Sequence, residues 1–183
     1  MGIRKLAPPD RAQIEALLGS DSTFNQEEVS VALEVIDAAI ACPEKDYLAL
    51  VFVDDGLEGK VAGYVCYGRT PMTEATYDLY WVATHAAARG KGIATSLVAA
   101  MEAELRERGA RLVRIETSQL ESYGAARSFY ERMGYGEVGR IPDFYRAGDA
   151  LITFAKRIDE AGMRAKPVRR RAAARRRLPL RAV

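Results

Sequence analysis

Histidine and cysteine are nearly missing from this sequence: its 183 residues hold one His, His85, and two Cys, Cys42 and Cys66. Two cysteines build no disulfide framework, and without a Cys-x-x-Cys pair or a second histidine there is no zinc ligand set. No metal is expected, and both cysteines read as small buried apolar residues rather than nucleophiles. No apolar run approaches the length of a membrane span, so no membrane partner is expected. The opening MGIRKLAPPD has no apolar core of the signal-peptide type, and the simplest expectation for the compartment is the cytoplasm.

What the chain does have is charge, unevenly placed. Residues 161–183 hold nine of the 27 Lys and Arg residues and no acid, which leaves 18 bases against 25 acids in residues 1–160. This predicts an acidic domain over 1–160 and an Arg-rich tail over 161–183 whose composition builds no core. Three readings of the tail stay open: a solvated extension, a non-specific nucleic-acid contact through residues 164–181, or a segment that folds back on the domain or a partner.

Periodicity orders the domain as β-α-α-β-β-β-α-β-α-β-β, an α/β (α+β) arrangement with one mixed sheet and helices packed on it. Ile3 to Leu6 reads as a short strand, and Pro9-Asp10 opens a helix carrying Ile14, Leu17 and Leu18. Asn25 and Glu28 have the spacing of a capping box, followed by the stripe Val29, Leu33, Ile36 and Ile40. Strands are expected over 47–53, 60–67, 77–82 and 111–117. A helix over 124–133 closes on Gly134, and a last strand pair flanks a loop over 141–149.

The stretch Tyr77 to Leu97 organises the rest, because it runs from a strand through Arg89-Gly90-Lys91-Gly92 into a helix. Glycines there let the backbone approach a ligand closely. The unpaired N–H groups at the helix start, its dipole, Arg89 and Lys91 together suit a phosphate or pyrophosphate. A P-loop is excluded, because four residues do not separate the glycines and no Lys-Ser/Thr follows. The dinucleotide fingerprint is excluded because Thr95 stands where its third glycine would fall.

Arg89-Gly90-Lys91-Gly92-Ile93-Ala94 fits (Gln/Arg)-x-x-Gly-x-(Gly/Ala) and resembles the pyrophosphate motif of the GNAT superfamily of acyl-CoA-dependent N-acyltransferases. A second family run, Asn-x-x-Ala-x-x-Phe-Tyr-x-x-x-Gly-Phe, appears as Tyr123-Gly-Ala-Ala126-Arg-Ser-Phe129-Tyr130-Glu-Arg-Met-Gly134-Tyr135, with Tyr123 in place of Asn. The element order is also that of the family, over residues 3–157, and the sequence is similar to one subgroup of small bacterial acetyltransferases. The resemblance implies acetyl-CoA as co-substrate and acetyl transfer to an amine. It implies a pyrophosphate cradle over Gly90 to Ala94, and pantetheine pairing along Val82, Ala83 and Thr84 where the central strand splays from its neighbour. The family's Asn at position 123 would contact the pantetheine arm, so that contact is absent here or supplied differently.

Amine acylation also needs the acceptor's proton removed and the thiolate protonated. Tyr130 matches the family's general acid; its alternative is a packed aromatic on an amphipathic helix. Asp78 is the candidate base by its place on the central strand, the alternative being a polar strand residue. Candidate acceptor-site residues are Phe24, Tyr67, Glu74, Tyr80 and Tyr145. The expected partner is a small-molecule or peptide amine, and a homodimer through the last strands stays open. The competing functions are a CoA-binding sensor and a nucleic-acid-associated protein acting through the tail.

Overall fold

A computed structural model describes residues 2–159 apart from 22 and 58. The expected domain boundary near residue 160 and the basic residues 164–181 lie outside the described residues. The element order matches the expected one: β1 (Gly2–Lys5), α1 (Asp10–Gly19), α2 (Gln26–Ala41), β2 (Leu48–Asp54), β3 (Lys60–Arg69), β4 (Thr76–Thr84), α3 (Ile93–Glu107), β5 (Leu112–Ser118), α4 (Gly124–Arg132), β6 (Gly136–Arg146) and β7 (Asp149–Arg157).

The strands form one seven-stranded sheet in the order β1-β2-β3-β4-β5-β7-β6. Every neighbouring pair is antiparallel except β4 and β5, which run parallel. Two cores cover the two faces. On one, Ile93, Leu97, Val98, Met101 and Leu105 of α3 and Tyr130 of α4 pack on Val65, Leu79, Val113, Ile115 and Phe154. On the other, Ile14, Leu17 and Leu18 of α1 and Leu33 and Ile36 of α2 pack on Val51, Tyr64, Cys66 and Ala83. β3 is buried on both faces from Val61 to Gly68, as a central strand between helical layers must be.

The capping box at α2 is complete: the Glu28 N–H donates to Asn25 Oδ1 at 2.9 Å, and the Asn25 N–H donates to Glu28 Oε2 at 2.8 Å. Such a cap contributes about 1 kcal/mol. Asp10 opens α1 and ties it to β1 through two bonds from Arg4, at 2.6 and 2.7 Å. Between α3 and β7, buried Glu102 accepts from Lys156 at 2.7 and 2.8 Å and from Tyr135 at 3.0 Å.

Two expectations need correction. Cys42 is exposed at the end of α2, where the helix runs out before Pro43; only Cys66 is buried, and burial pushes its thiol up to about 12. The stretch 141–149 is not one open loop. β6 continues to Arg146, residues 142–145 stand out of the ladder between the Ile141–Leu151 and Arg146–Asp149 pairs, and the chain reverses at Gly148, φ 79°.

Candidate active site

The sheet opens where β4 meets β5. Their pairing runs only from Thr76–Leu112 to Leu79–Ile115. Beyond that point β4 stays paired to β3 as far as Thr84, and β5 stays paired to β7 as far as Ser118. The two strands therefore part, and among the described residues the edge of β4 from Tyr80 to Thr84 that faces β5 has no strand partner. The break begins at a register shift: Cys66 pairs with Trp81 and Tyr67 with Leu79, so Tyr80 is the extra residue on β4. A bulge of this kind bends its strand and increases the local twist, which turns the end of β4 away from its neighbour.

Val82, Ala83 and Thr84 lie on this unpaired edge. The chain then passes His85, whose Nδ1 accepts the Ala87 N–H at 3.2 Å and caps a 3-10 turn over Ala86–Ala88. Gly90 and Gly92 follow at φ 77° and 76°, left-handed conformations that favour glycine. Gly92 is the N-cap of α3, so the cap position offers no side-chain acceptor to the helix's first N–H groups. The close approach beneath this turn also demands glycine. A Cβ on Gly63 would sit 2.9 Å from the Ala83 carbonyl oxygen and 2.9 Å from Ile93 Cγ2.

The cations of the turn are tethered. Arg89 pairs with Asp21 of the α1–α2 connection, and Lys91 Nζ lies 3.4 Å from Asp54 at the end of β2. Burial pushes the Asp21 carboxyl up, but bonds from Thr23 and Arg89 outweigh it and hold the group below its usual range. The Gly56 N–H holds Asp54 low against burial, and Lys91 adds to the effect. Both acids thus stay ionised and keep the two cations beside the glycines. Ile93 is buried and Ala94 half-buried in the first turn of α3. Uncapped N–H groups, two cations and an unpaired strand edge suit a pyrophosphate with an amide-bearing arm, so the residues present fit CoA.

Tyr130 is 7 % exposed and packs against Phe129, Tyr135 and Phe154 at ring distances of 5.7, 6.4 and 6.0 Å. Phe154 is paired with Ile115, the last residue of β5 to meet β4, which sets Tyr130 at the level where the strands part. Burial pushes its phenol up to about 12. A hydroxyl with that value carries its proton through the neutral range.

Asp78 lies in the paired part of β4, one residue before Leu79. It is 7 % exposed, and both oxygens accept from Arg114, its register partner on β5, at 2.7 and 3.2 Å. Tyr80 sits at the bulge, edge-on to Tyr47 at 5.3 Å; burial pushes its phenol up to about 12, with Asp78 adding to the effect. Phe24 stacks edge-on to Trp81 at 5.5 Å. Tyr145 projects from the bulged part of β6. Burial raises its phenol, and Glu116, Asp149 and Glu28 raise it further.

Two of the candidate acceptor residues sit elsewhere. Tyr67 is 1 % exposed in the core, and its hydroxyl donates at 2.9 Å to Glu104, near the C-terminal end of α3. Glu74 precedes β4, at the opposite end of the strand from the glycine turn, and pairs with Arg111 on the surface. A contact the sequence does not announce joins the site's two sides: Tyr123 Oη donates to Glu28 Oε1.

A model of the acetyltransferase (GNAT) family matches residues 13–135. No functionally curated protein matches the sequence significantly. Among solved structures, a protein described as a GNAT-family acetyltransferase from Desulfovibrio desulfuricans is 34 % identical, with a TM-score of 0.80 over 86 % of this chain and 98 % of its own. The Escherichia coli ribosomal-protein-S18-alanine N-acetyltransferase superposes with a TM-score of 0.69 at 19 % identity, over 90 % of this chain and 98 % of its own. YncA from Salmonella typhimurium, solved with its cofactor acetyl-CoA, does so at 0.67 and 20 % identity, over 87 % of this chain and 95 % of its own.

Proposed function

Because this chain belongs to the acetyltransferase (GNAT) family, and is an acyltransferase, we propose that it moves an acetyl group from acetyl-CoA directly to a primary amine of a small molecule or peptide. The observation that carries the reading is the parting of β4 and β5 beyond Leu79 and Ile115, beside a glycine-led, uncapped helix start. Acetyl-CoA supplies an acyl thioester, already activated toward an amine.

The chain's own groups divide the remaining work. N–H groups from Gly90 to Ala94 bind the pyrophosphate, with Arg89 and Lys91 beside them. The open edge of β4 at Val82, Ala83 and Thr84 takes the pantetheine amides in the manner of an added strand. A backbone N–H from the same edge stabilises the developing oxyanion. Tyr130 holds the proton that the thiolate needs. Asp78, fixed as an acceptor by Arg114, is the candidate base for the amine's proton, reached through its remaining lone pairs or a water. Direct transfer, rather than an acyl-cysteine, is supported by the burial and raised thiol of Cys66, by the place of exposed Cys42 at the end of α2, where neighbouring Glu44 pairs with Arg108 at the end of α3 away from the glycine turn, and by the engagement of His85 Nδ1 in a turn.

A CoA-release assay with acetyl-CoA and a panel of amines, polyamines, aminoglycosides and basic peptides tests this. Tyr130→Phe should lower kcat about 10²-fold, and Asp78→Asn at least about tenfold, each with little change in the KM for acetyl-CoA. No turnover with any amine, together with no acetyl-CoA binding by calorimetry, would overturn the reading.

A further inference from the structure

Glu28 is held more firmly than a helix cap requires. Its Oε2 accepts the Asn25 N–H at 2.8 Å and its Oε1 accepts the Tyr123 hydroxyl. α2 belongs to one face of the sheet and α4, which Tyr123 immediately precedes, packs on the other. A bond between the two must pass around the free end of β5, where the strands have parted. Glu28 is therefore fixed across the opening of the candidate active site.

It is also uncompensated. Of the carboxylates around Tyr145, Glu116 pairs with Arg114 at 3.1 Å and Asp149 lies 3.7 Å from Arg146. Glu28 has neutral donors only and no cationic partner among the described residues. A half-buried carboxylate that is rigidly held and lacks a counter-ion is stabilised by a cation brought to it.

Resting on the transferase reading above, we infer that Glu28 is a specificity-determining residue of the acceptor site, that it binds an ammonium group of the acceptor other than the one acetylated, and that Tyr123 is its positioning residue. The acceptor class this selects is a diamine or polyamine. The Tyr found where the family's second motif has Asn is then the residue that builds the site.

Glu28→Gln isolates the charge, because the Gln carbonyl keeps the capping-box bond from the Asn25 N–H and its NH2 donates to the Tyr123 hydroxyl, which turns from donor to acceptor. The probes are 1,4-diaminobutane and n-butylamine, which differ by one ammonium group. For the wild type, kcat/KM should favour the diamine. In Glu28→Gln the diamine's value should fall about tenfold, the size of one lost charge-assisted contact, while n-butylamine stays within about twofold. The melting temperature and the KM for acetyl-CoA should not move. Tyr123→Phe should reduce the same preference. Equal losses for both amines, or no change for either, would overturn the assignment. Calorimetry of 1,4-diaminobutane with wild type and Glu28→Gln reads the site without turnover. Binding that weakens on substitution in a protein that turns over no amine and does not bind acetyl-CoA keeps Glu28's ammonium site and removes the transferase reading. Absence of diamine binding to the wild type overturns the inference whatever the turnover.

Discussion

A phenol can protonate a thiolate only while it still carries its proton, and the surroundings of Tyr130 secure that. Its folded value of about 12 lies above the ordinary 10.0 because burial penalises the phenolate. A group with a raised folded pKa contributes stability that is complete below the unfolded value and is lost as pH rises through the folded one. Wild type should therefore lose up to about 2–3 kcal/mol from this residue between about pH 10 and 12. Tyr130→Phe should lack that part of the decline, measured by denaturant unfolding across the range. Tyr130 was legible because a motif of thirteen positions surrounds it. Tyr67 was not, because alternation along a strand gives a face only when one face is wet, and β3 is buried on both; Glu74 was not, because it lies in the connection before β4, whose distance from the glycine turn only the folded strand sets. Glu28 was visible as a helix cap, but its second bond reaches a residue 95 positions away, a separation that no local pattern encodes.

At the level of elements, the turn before α3 depends on two left-handed residues. Gly92→Ala keeps the space, since nothing lies within 4 Å of the added Cβ, but strains φ at 76°. It should cost about 1 kcal/mol of stability. The KM for acetyl-CoA should rise with kcat nearly unchanged, the pattern of lost uniform binding, as steady-state kinetics would show. Glu102 tests a different joint, the one that fixes α3 to β7. Glu102→Ala leaves Lys156 and the Tyr135 hydroxyl without their shared acceptor and should destabilise by about 3 kcal/mol in urea unfolding, without changing kcat. The element order, the capping box of α2 and the stop of α4 at Gly134, φ 84°, were readable from periodicity and cap chemistry. The bulged end of β6 was not, because Pro142 and Asp143, with φ 54°, read as an ordinary turn until their pairing with β7 is seen.

At the scale of the whole molecule, the sheet is two blocks, β1 to β4 and β5 to β7, joined by a seam of four residue pairs. Its width was not readable from sequence, because strand divergence depends on a one-residue register shift at Tyr80 rather than on composition. The α3 and α4 core spans both blocks beneath this seam, and a ligand laid along the free edge of β4 would extend the pairing where the seam stops. Acetyl-CoA should then slow amide hydrogen exchange in Tyr80–Thr84 and Glu116–Ser118 more than in β2 or β7. At a hundredfold excess over Kd it should add about 2.7 kcal/mol to global stability. Protection confined to Gly90–Ala94 would mean that the cradle binds without bridging the blocks. If both strand ends tighten, the cosubstrate is in mechanical terms a temporary eighth strand, and the enzyme is stiffest when it is charged for reaction.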